Sequence, residues 1–503
     1  MYKAVIKAGH KELIPVDLVE FHSQGRVLVI GTEAQIQSVL PYFEALQVHT
    51  AVHAPESVTG WLGHFSVKTG EQSFKVDCVL DLLPEPVIQR PVLPLGYFAP
   101  RDDAQALAEA LVQLPELKGM FDKPRYFEFD ATICAHSRRQ IPGCNQCLDA
   151  CPAQAIGSAG DEVKVNPHLC QGCGSCTAVC PSGAIRYALP TLDVSIERLR
   201  SMLKTYYTLA VCPPSIVIHD QDKGQTILAS MGECLPHEII PFSIEEIGAL
   251  GMPFYLAALA MGAGSITVWD AGSHPDHAWT EIQTEIDKTN QILTGLGYGT
   301  HLIGWFQGHR FEPLMDQIKH TERMPTIKPA TFAGLDDKRR MITLSLSHLH
   351  QQAPQPVAML PLPHHAAFGE VQIDPEACTL CLSCVAVCPA GALLDGTDQP
   401  QLNFIEDRCV QCGLCERACP EQAITLNPRY LFDRQQARQR RRLHEVPIFH
   451  CICCQKPFAT QKMIETMTQK LKQHPMFQGE ALERLKMCED CRVKAMFASQ
   501  TGA

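Results

Sequence analysis

The sequence predicts a multidomain chain that mixes α/β and α+β architecture. Two stretches alternate apolar strand-like runs with helical segments, which argues for α/β (Rossmann-like) domains with parallel sheets. Two others are short, cysteine-dense and built from internal repeats. With 503 residues the chain has room for about three to four domains. Its apolar content of 46% suffices for buried cores.

The cysteine-dense stretches come first because their spacing is the most specific signal. Cys170, Cys173 and Cys176 are spaced by two residues, and Cys180-Pro181 follows after three more. This is the bacterial ferredoxin spacing for a 4Fe–4S cluster, in which the fourth cysteine reaches a second cube. The twin motif lies upstream in Cys144, Cys147 and Cys151-Pro152, with Cys134 as its first ligand after a longer connection. The arrangement recurs as Cys378, Cys381, Cys384, Cys388-Pro389 and Cys409, Cys412, Cys415, Cys419-Pro420. Sixteen cysteines therefore predict two ferredoxin-like domains, each with two 4Fe–4S clusters. By the crossover rule the cubes take Cys134, Cys144, Cys147 and Cys180; Cys170, Cys173, Cys176 and Cys151; Cys378, Cys381, Cys384 and Cys419; Cys409, Cys412, Cys415 and Cys388. After each Cys-Pro a similar run predicts one apolar residue buried against a cube: Ile156, Ile185, Leu393 and Ile424.

The chain holds 24 cysteines. Their spacing and the chain length override a secreted disulfide reading. The N-terminal Met1–Lys7 stretch lacks the pattern of a signal peptide, so a reducing cytoplasm is expected. The net charge of −11 argues against a general nucleic-acid binder. Ile247 to Trp269 runs 23 residues without a charge, long enough to span a bilayer. It holds four glycines and Pro253 and has acidic flanks. A buried helix, a turn and a buried strand are expected instead, with no membrane span.

The remaining elements follow in order. Residues 1–125 form a small α/β domain and a Pro-rich connector. Arg26–Gly31 reads as a strand ending in glycine, followed by a helix over Glu33–Leu46 and strands at Val48–His53, Phe65–Lys68 and Val76–Leu83. Gly31 is followed by Thr32-Glu33-Ala34, so the glycine fingerprint of dinucleotide binding is missing. A helix over Asp102–Gln113 is expected in the connector. The first ferredoxin-like domain fills 126–190, where Arg138 and Arg139 either reach over the cluster edge or are solvated. Residues 191–350 read as an α/β domain, with strands at Leu209–Val211, Ile216–Ile218, Ile239–Ile240, Ile266–Trp269 and His301–Phe306 and a helix over Trp279–Leu293. Cys212 and Cys234 are expected to be buried and unreactive; His219, His237 and Glu238 are expected to be paired polar groups of the fold. A linker at 351–366 leads to the second ferredoxin-like domain at 367–428. The basic run Arg434–Arg442 reads as a solvated helix face or a docking contact.

The 429–503 segment ends in a zinc-ribbon-like tail. Cys451 and Cys454 are matched by Cys488 and Cys491, with His450 and Cys453 as spare ligands. Paired C-x2-C knuckles predict a thiolate zinc site, with iron as the rival metal. The 33 residues between the pairs leave room for helices over 460–473 and 478–487.

Cys134-Ala-His-Ser-Arg, Gly143-Cys144-x2-Cys147-x3-Cys151-Pro152, the Cys170 motif and Met487-Cys488-Glu-Asp-Cys491 together resemble the large multi-cluster 4Fe–4S ferredoxin-type proteins of proteobacteria. Those are often encoded beside molybdenum-dependent formate dehydrogenase genes, so the resemblance implies formate dehydrogenase as a redox partner. The expectation is an electron carrier with no catalytic residue of its own. Two other readings stay open: an oxidoreductase subunit with a flavin or substrate site in 191–350, and a nucleic-acid-associated iron–sulfur protein using the basic run and the tail.

Overall fold

The computed structural model describes all residues except 1, 12–14, 232–234, 273–275, 365, 397–398 and 501–503. The expectation for Cys234 lies outside the described residues. The chain divides into two compact units. The first comprises Met1–Asp130, Asn145–Ala159 and Val163–Pro356; the second comprises Ala131–Cys144, Gly160–Glu162 and Val357–Ala503.

The first unit opens on a four-stranded parallel sheet, in the order Gln47–Ala51, Arg26–Ile30, Cys78–Asp81, Tyr97–Phe98. Successive side chains of a strand point to opposite faces, and the sequence Val27-Leu28-Val29-Ile30 buries both. Val27 and Val29 pack with Ile36, Val39, Phe43 and Leu114. Leu28 and Ile30 pack with Phe65, Val67 and Val76, from the antiparallel strands Phe65–Thr69 and Gln72–Val76. The helix after Gly31 is Glu33–Val39, closed at its start by a capping box between Thr32 and Gln35. A 3-10 turn with Pro41 takes over at Leu40, so the helix is shorter than its apolar pattern suggests. The connector helix is Ala104–Glu116, with the Asp103 carboxylate accepting from Gln105 and Ala106 N–H at its N-cap.

A second parallel sheet has the order Ile239–Ile244, Ser215–Asp220, Ser265–Asp270, Ile303–Gln307. The uncharged stretch forms the short turn Ile247–Ala249, the helix Met252–Ala260 and the central strand Ser265–Asp270. The helix is buried all round and every residue of the strand is buried, which explains the lack of charge. Among the described residues, no helix is long and apolar enough to cross a membrane.

Two expectations fail here. Leu209–Val211 is no strand; helix Leu192–Tyr207 ends just before it, and Val211 is exposed. Cys212 is exposed, not buried, with its Sγ 3.4 Å from the Tyr206 hydroxyl. His219 is buried, its Nδ1 paired with the Asp220 carbonyl at 2.8 Å. Glu238 lies 3.6 Å from Arg323.

The second unit carries two three-stranded antiparallel sheets. One joins Met359–Pro361, Ile424–Leu431 and Gly369–Ile373; the other joins Leu393–Asp395, Gln401–Phe404 and Arg441–Glu445. Val371, Leu402, Phe404 and Ile424 form their shared core. The basic run is not one solvated helix. It is the helix Arg434–Arg438 followed by a strand from Arg441. Arg434 and Arg438 pair with Asp407, and Arg441 pairs with Glu370 and Glu406. Acidic residues distant in sequence thus occupy the charges of Arg434, Arg438 and Arg441, while Arg440 donates to the Asp395 carbonyl and Arg442 pairs locally with Glu445. The tail is a hairpin of Ile448–His450 with Pro457–Thr460, then helices Gln461–Leu471 and Glu489–Gln500.

Candidate iron–sulfur and metal centres

The cysteine loops share a backbone design. In Cys170–Cys176, residues Gly172 and Gly174 take the left-handed conformation, at φ 81° and 74°. The equivalent positions are Leu380 and Leu382 (φ 55° and 59°) in Cys378–Cys384, and Gln411 and Gly413 (φ 53° and 81°) in Cys409–Cys415. Two left-handed residues wind three cysteines into one tight turn. Non-glycine residues hold this geometry at a cost of order 1–3 kcal/mol each, which a loop accepts when its surroundings fix it. The Cys-Pro segments repeat a second device. Gln154, Gly183, Gly391 and Gln422, each three residues after a cysteine, all have φ between 49° and 75°. The turn then aims a backbone N–H at sulfur: Ala155 at Cys151 (3.2 Å), Ala392 at Cys388 (3.3 Å) and Ala423 at Cys419 (3.3 Å). At Cys180 the Ser182 hydroxyl lies 3.7 Å from sulfur instead. The apolar residues that follow, Ile156, Ile185, Leu393 and Ile424, are all buried.

In the second unit this geometry surrounds two pockets. One is walled by Cys378, Cys381 and Cys384 together with Cys419 from the other motif. The other is walled by Cys409, Cys412 and Cys415 together with Cys388. Burial and then neighbouring thiolates push the Cys384 and Cys409 thiols up to about 12. Cys412 is raised to about 11 by burial, with the charges of Cys388 and Cys144 adding to it. In the first unit, burial raises Cys170, Cys173 and Cys176, and the charge of Cys151 adds to each. Thiols so placed are costly as free thiolates, and iron would supply the missing positive charge. Four sulfurs around an apolar cavity fit a 4Fe–4S cube. Cys147 and Cys180 are buried in the first unit; Cys134 and Cys144 belong to the second, where Cys134 is buried and Cys144 half-buried.

Several charged side chains near these loops have no signal in the sequence. Lys123 Nζ donates to the carbonyls of His168 (2.9 Å) and Cys170 (2.7 Å) and lies 5.1 Å over the Phe21 ring. Burial pushes its pKa down to about 8, against the opposing pull of Cys170. Lys338 donates to the carbonyls of Thr177 (3.0 Å) and Ala178, at the end of helix Ser175–Val179. Arg339 donates to the Pro181 carbonyl at 3.2 Å. In the second unit Arg429 makes two 2.8 Å bonds to Glu406 and pairs with Glu370 at 2.7 Å. Arg138 donates to the Thr132 carbonyl at 3.2 Å.

In the tail the Sγ atoms of Cys451, Cys454, Cys488 and Cys491 lie within 4.8 Å of one another. Tetrahedral thiolates 2.3 Å from zinc would stand about 3.8 Å apart, so a small contraction fits the ion. Burial pushes the Cys451 thiol up, but N–H donors of Cys488, Cys454 and Cys453 outweigh it and hold it at about 6. His450 and Cys453, the spare ligands, are exposed and outside this group.

Residues 142–184 and 370–420 each match the family model of the 4Fe–4S dicluster domain. The chain contains two 4Fe–4S dicluster domains. Over 42 residues it is 45% identical to ferredoxin 7Fe of Hydrogenibacillus schlegelii, covering 8% of this chain and 51% of that protein. It is 42% identical over 52 residues to the ferredoxin-type protein NapF of Haemophilus influenzae, covering 9% and 28%. It is 39% identical over 54 residues to pyruvate synthase subunit PorD of Thermotoga maritima, covering 10% and 52%. The chain thus spans about half, or less, of the length of these relatives.

Proposed function

We propose that this chain is an electron relay carrying four 4Fe–4S cubes and one structural zinc, passing single electrons between redox partners. The cubes supply reversible one-electron chemistry when bound. The protein's part is to ligate them, exclude water from them and set their potentials through hydrogen bonds and nearby charge. The observation that carries the reading is the pair of cavities in the second dicluster domain. Each is walled by three cysteines of one motif and the fourth of the other. The same crossover assigns Cys151 to the cube of Cys170, Cys173 and Cys176. The set Cys134, Cys144, Cys147 and Cys180 rests on spacing alone. Cys451, Cys454, Cys488 and Cys491 are the zinc ligands. No iron is left open as a Lewis acid when four cysteines cap a cube, which favours a relay over an enzyme. The resemblance to proteins encoded beside formate dehydrogenase makes that enzyme the first partner to try.

The test is reconstitution of the full chain with iron, sulfide and zinc, followed by metal analysis and EPR. Four reducible cubes and one zinc per chain are expected, with no formate oxidation until a partner is added. Cys419→Ala should remove the cube held by Cys378, Cys381 and Cys384 and leave that of Cys409, Cys412 and Cys415. Cys488→Ala should release the zinc and loosen the tail while all four cubes stay. Loss of the Cys409 cube in Cys419→Ala, a zinc-free tail at full iron, or formate turnover by the isolated chain would overturn the respective part.

A further inference from the structure

The tail reaches one cysteine pocket of the second unit through a single peptide group. Thr460 ends the strand Pro457–Thr460 and caps the helix Gln461–Leu471, its hydroxyl accepting from Met463 N–H at 3.2 Å. The same hydroxyl donates to the Thr379 carbonyl at 3.0 Å. Thr460 and Thr379 are both buried. Thr379 follows Cys378 in the chain and lines the pocket of Cys378, Cys381, Cys384 and Cys419. The peptide that begins at the Thr379 carbonyl ends in the Leu380 N–H, and that N–H donates to the Cys378 sulfur. One chain of hydrogen bonds thus runs from the Thr460 hydroxyl, through the Thr379–Leu380 peptide, to a sulfur of the pocket.

The four tail cysteines fix where that hydroxyl stands. Cys451 and Cys454 lie in the turn between strands Ile448–His450 and Pro457–Thr460, and Thr460 is the last residue of that hairpin. Cys451 N–H donates to the Lys456 carbonyl at 2.9 Å across the turn. Cys488 N–H donates to the Cys451 sulfur at 3.3 Å, and Ile452 N–H to the Lys486 carbonyl at 3.2 Å. These bonds tie the turn to the segment that carries Cys488 and Cys491. Near the other end of the helix, Lys470 Nζ bonds both carboxylate oxygens of Glu421, at 3.1 and 2.9 Å, and Glu421 also lines the pocket. Helix Gln461–Leu471 is therefore held against the pocket at both ends.

We propose that Thr460 is a positioning residue that sets the reduction potential of the cube of Cys378, Cys381, Cys384 and Cys419, and that zinc on the tail cysteines keeps it in place. The inference rests on the ligand assignments under Proposed function. A donor on a carbonyl polarises its peptide and strengthens the N–H at the other end, as chains of hydrogen bonds do in a low-dielectric interior. A stronger N–H to sulfur bond draws negative charge off the thiolate and favours the more negative, reduced cube. Thr460 acts only through the Leu380 N–H. Zinc has no redox chemistry of its own, so its part is to hold the hairpin.

The test uses the full-length chain reconstituted with iron, sulfide and zinc. The cube concerned is the one whose EPR signal Cys419→Ala removes. Thr460→Val keeps the side-chain shape and loses the hydroxyl. Its midpoint for that cube should move to more negative potential, with the other three midpoints and the metal content unchanged. Thr460→Ser keeps the hydroxyl and should hold the wild-type midpoint. An unmoved midpoint in Thr460→Val, or an equal shift in Thr460→Ser, would overturn the proposal. If Thr460→Val sheds its zinc or does not fold, the wild-type holoprotein is titrated with zinc withdrawn by a chelator and then returned. The same midpoint alone should fall and recover, and one that stays put would overturn the proposal. A chain that binds no zinc, or a Cys419→Ala chain that keeps all four cubes, would overturn it through its premise, a failure distinct from four cubes and a zinc with an unmoved midpoint.

Discussion

The two dicluster domains share one loop design and differ in what surrounds it. Around Cys170–Cys180 the charged neighbours described above are cations held by main-chain carbonyls: Lys123 on Cys170, Lys338 on Thr177 and Ala178, Arg339 on Pro181. The negative charge that draws Lys123 upward comes from Cys170, and that on Lys338 from Glu285 and Cys180. Around Cys378–Cys419 three arginines are answered by carboxylates, Arg429 and Arg441 by Glu406 and Glu370 and Arg434 by Asp407, while Arg408 and Arg417 donate to main-chain carbonyls. The lesson is that the same motif can be embedded in two electrostatic settings. Lys123, whose counter-charge is the thiolate of Cys170, stabilises the more negative, reduced state most directly; Lys338 does so less, because Glu285 shares it with Cys180. An arginine already neutralised by carboxylates does so far less. The Cys170 pair should therefore hold electrons at a more positive potential than the Cys409 pair.

The strongest way to break this contrast is in the balanced network. Glu406 is buried at 7% exposure and takes both hydrogen bonds of Arg429. Arg429→Met strands that carboxylate, and breaking a buried pair from one side costs about 3–5 kcal/mol. Arg441, 3.3 Å from Glu406, offsets part of the loss. Urea unfolding followed by circular dichroism and by bleaching of the cluster absorbance should show the second dicluster domain destabilised at unchanged potentials of the first. An unchanged midpoint would mean that the network contributes little.

The same contrast is sharpened by removing the cations of the first domain. Lys123→Met and Lys338→Met should each shift a midpoint of that domain to more negative potential in an EPR-monitored titration. Lys338→Met also leaves two buried carbonyls without a donor, at about 1–3 kcal/mol for an unsatisfied group. Lys123→Arg should restore most of the potential if charge is the cause. Midpoints that stay put in both methionine variants would remove the electrostatic basis of the comparison.

What could be read from the sequence follows the range of each interaction. The spacing of the sixteen cysteines proposed as cluster ligands is local, and so are the signals for the buried Ile156, Ile185, Leu393 and Ile424 and for the strands at Arg26–Ile30 and Ser265–Asp270. The loop geometry is half legible: Gly172 and Gly174 advertise left-handed turns, but Leu380, Leu382 and Gln411 adopt them with no sequence signal. Long-range pairings were illegible. Arg434–Arg442 looked free because Asp407, Glu406 and Glu370 lie 27 or more residues away. Lys123 sits 47 residues before Cys170, and nothing marks it from a solvated lysine. Leu209–Val211 carried a strand-like composition, yet the helix end at Tyr207 places it on an exposed turn.

The smallest expected effect is a pH dependence confined to the first unit. Asp336, one residue before the Asp337 that caps helix Lys338–Gln351, lies 3.2 Å from Arg186. Burial nevertheless pushes its pKa up to about 6, with Asp193 and Glu128 adding to the rise and Arg186 opposing it. The sign follows from proton counting. Between about pH 4 and 6 the folded chain keeps a proton that the unfolded chain has released, so stability falls as pH rises through that window and levels off above it. A shift of this size, discounted for partial exposure, is worth about 1–2 kcal/mol. Asp336→Asn removes the titrating group and should flatten that slope, measured as the difference in urea midpoint between pH 5 and pH 7. The Asn variant keeps a hydrogen-bonding oxygen for Arg186, so a general loss of packing would lower both midpoints equally and leave the slope in place. A wild-type chain whose stability rises across the same window would show that Arg186 dominates burial at Asp336.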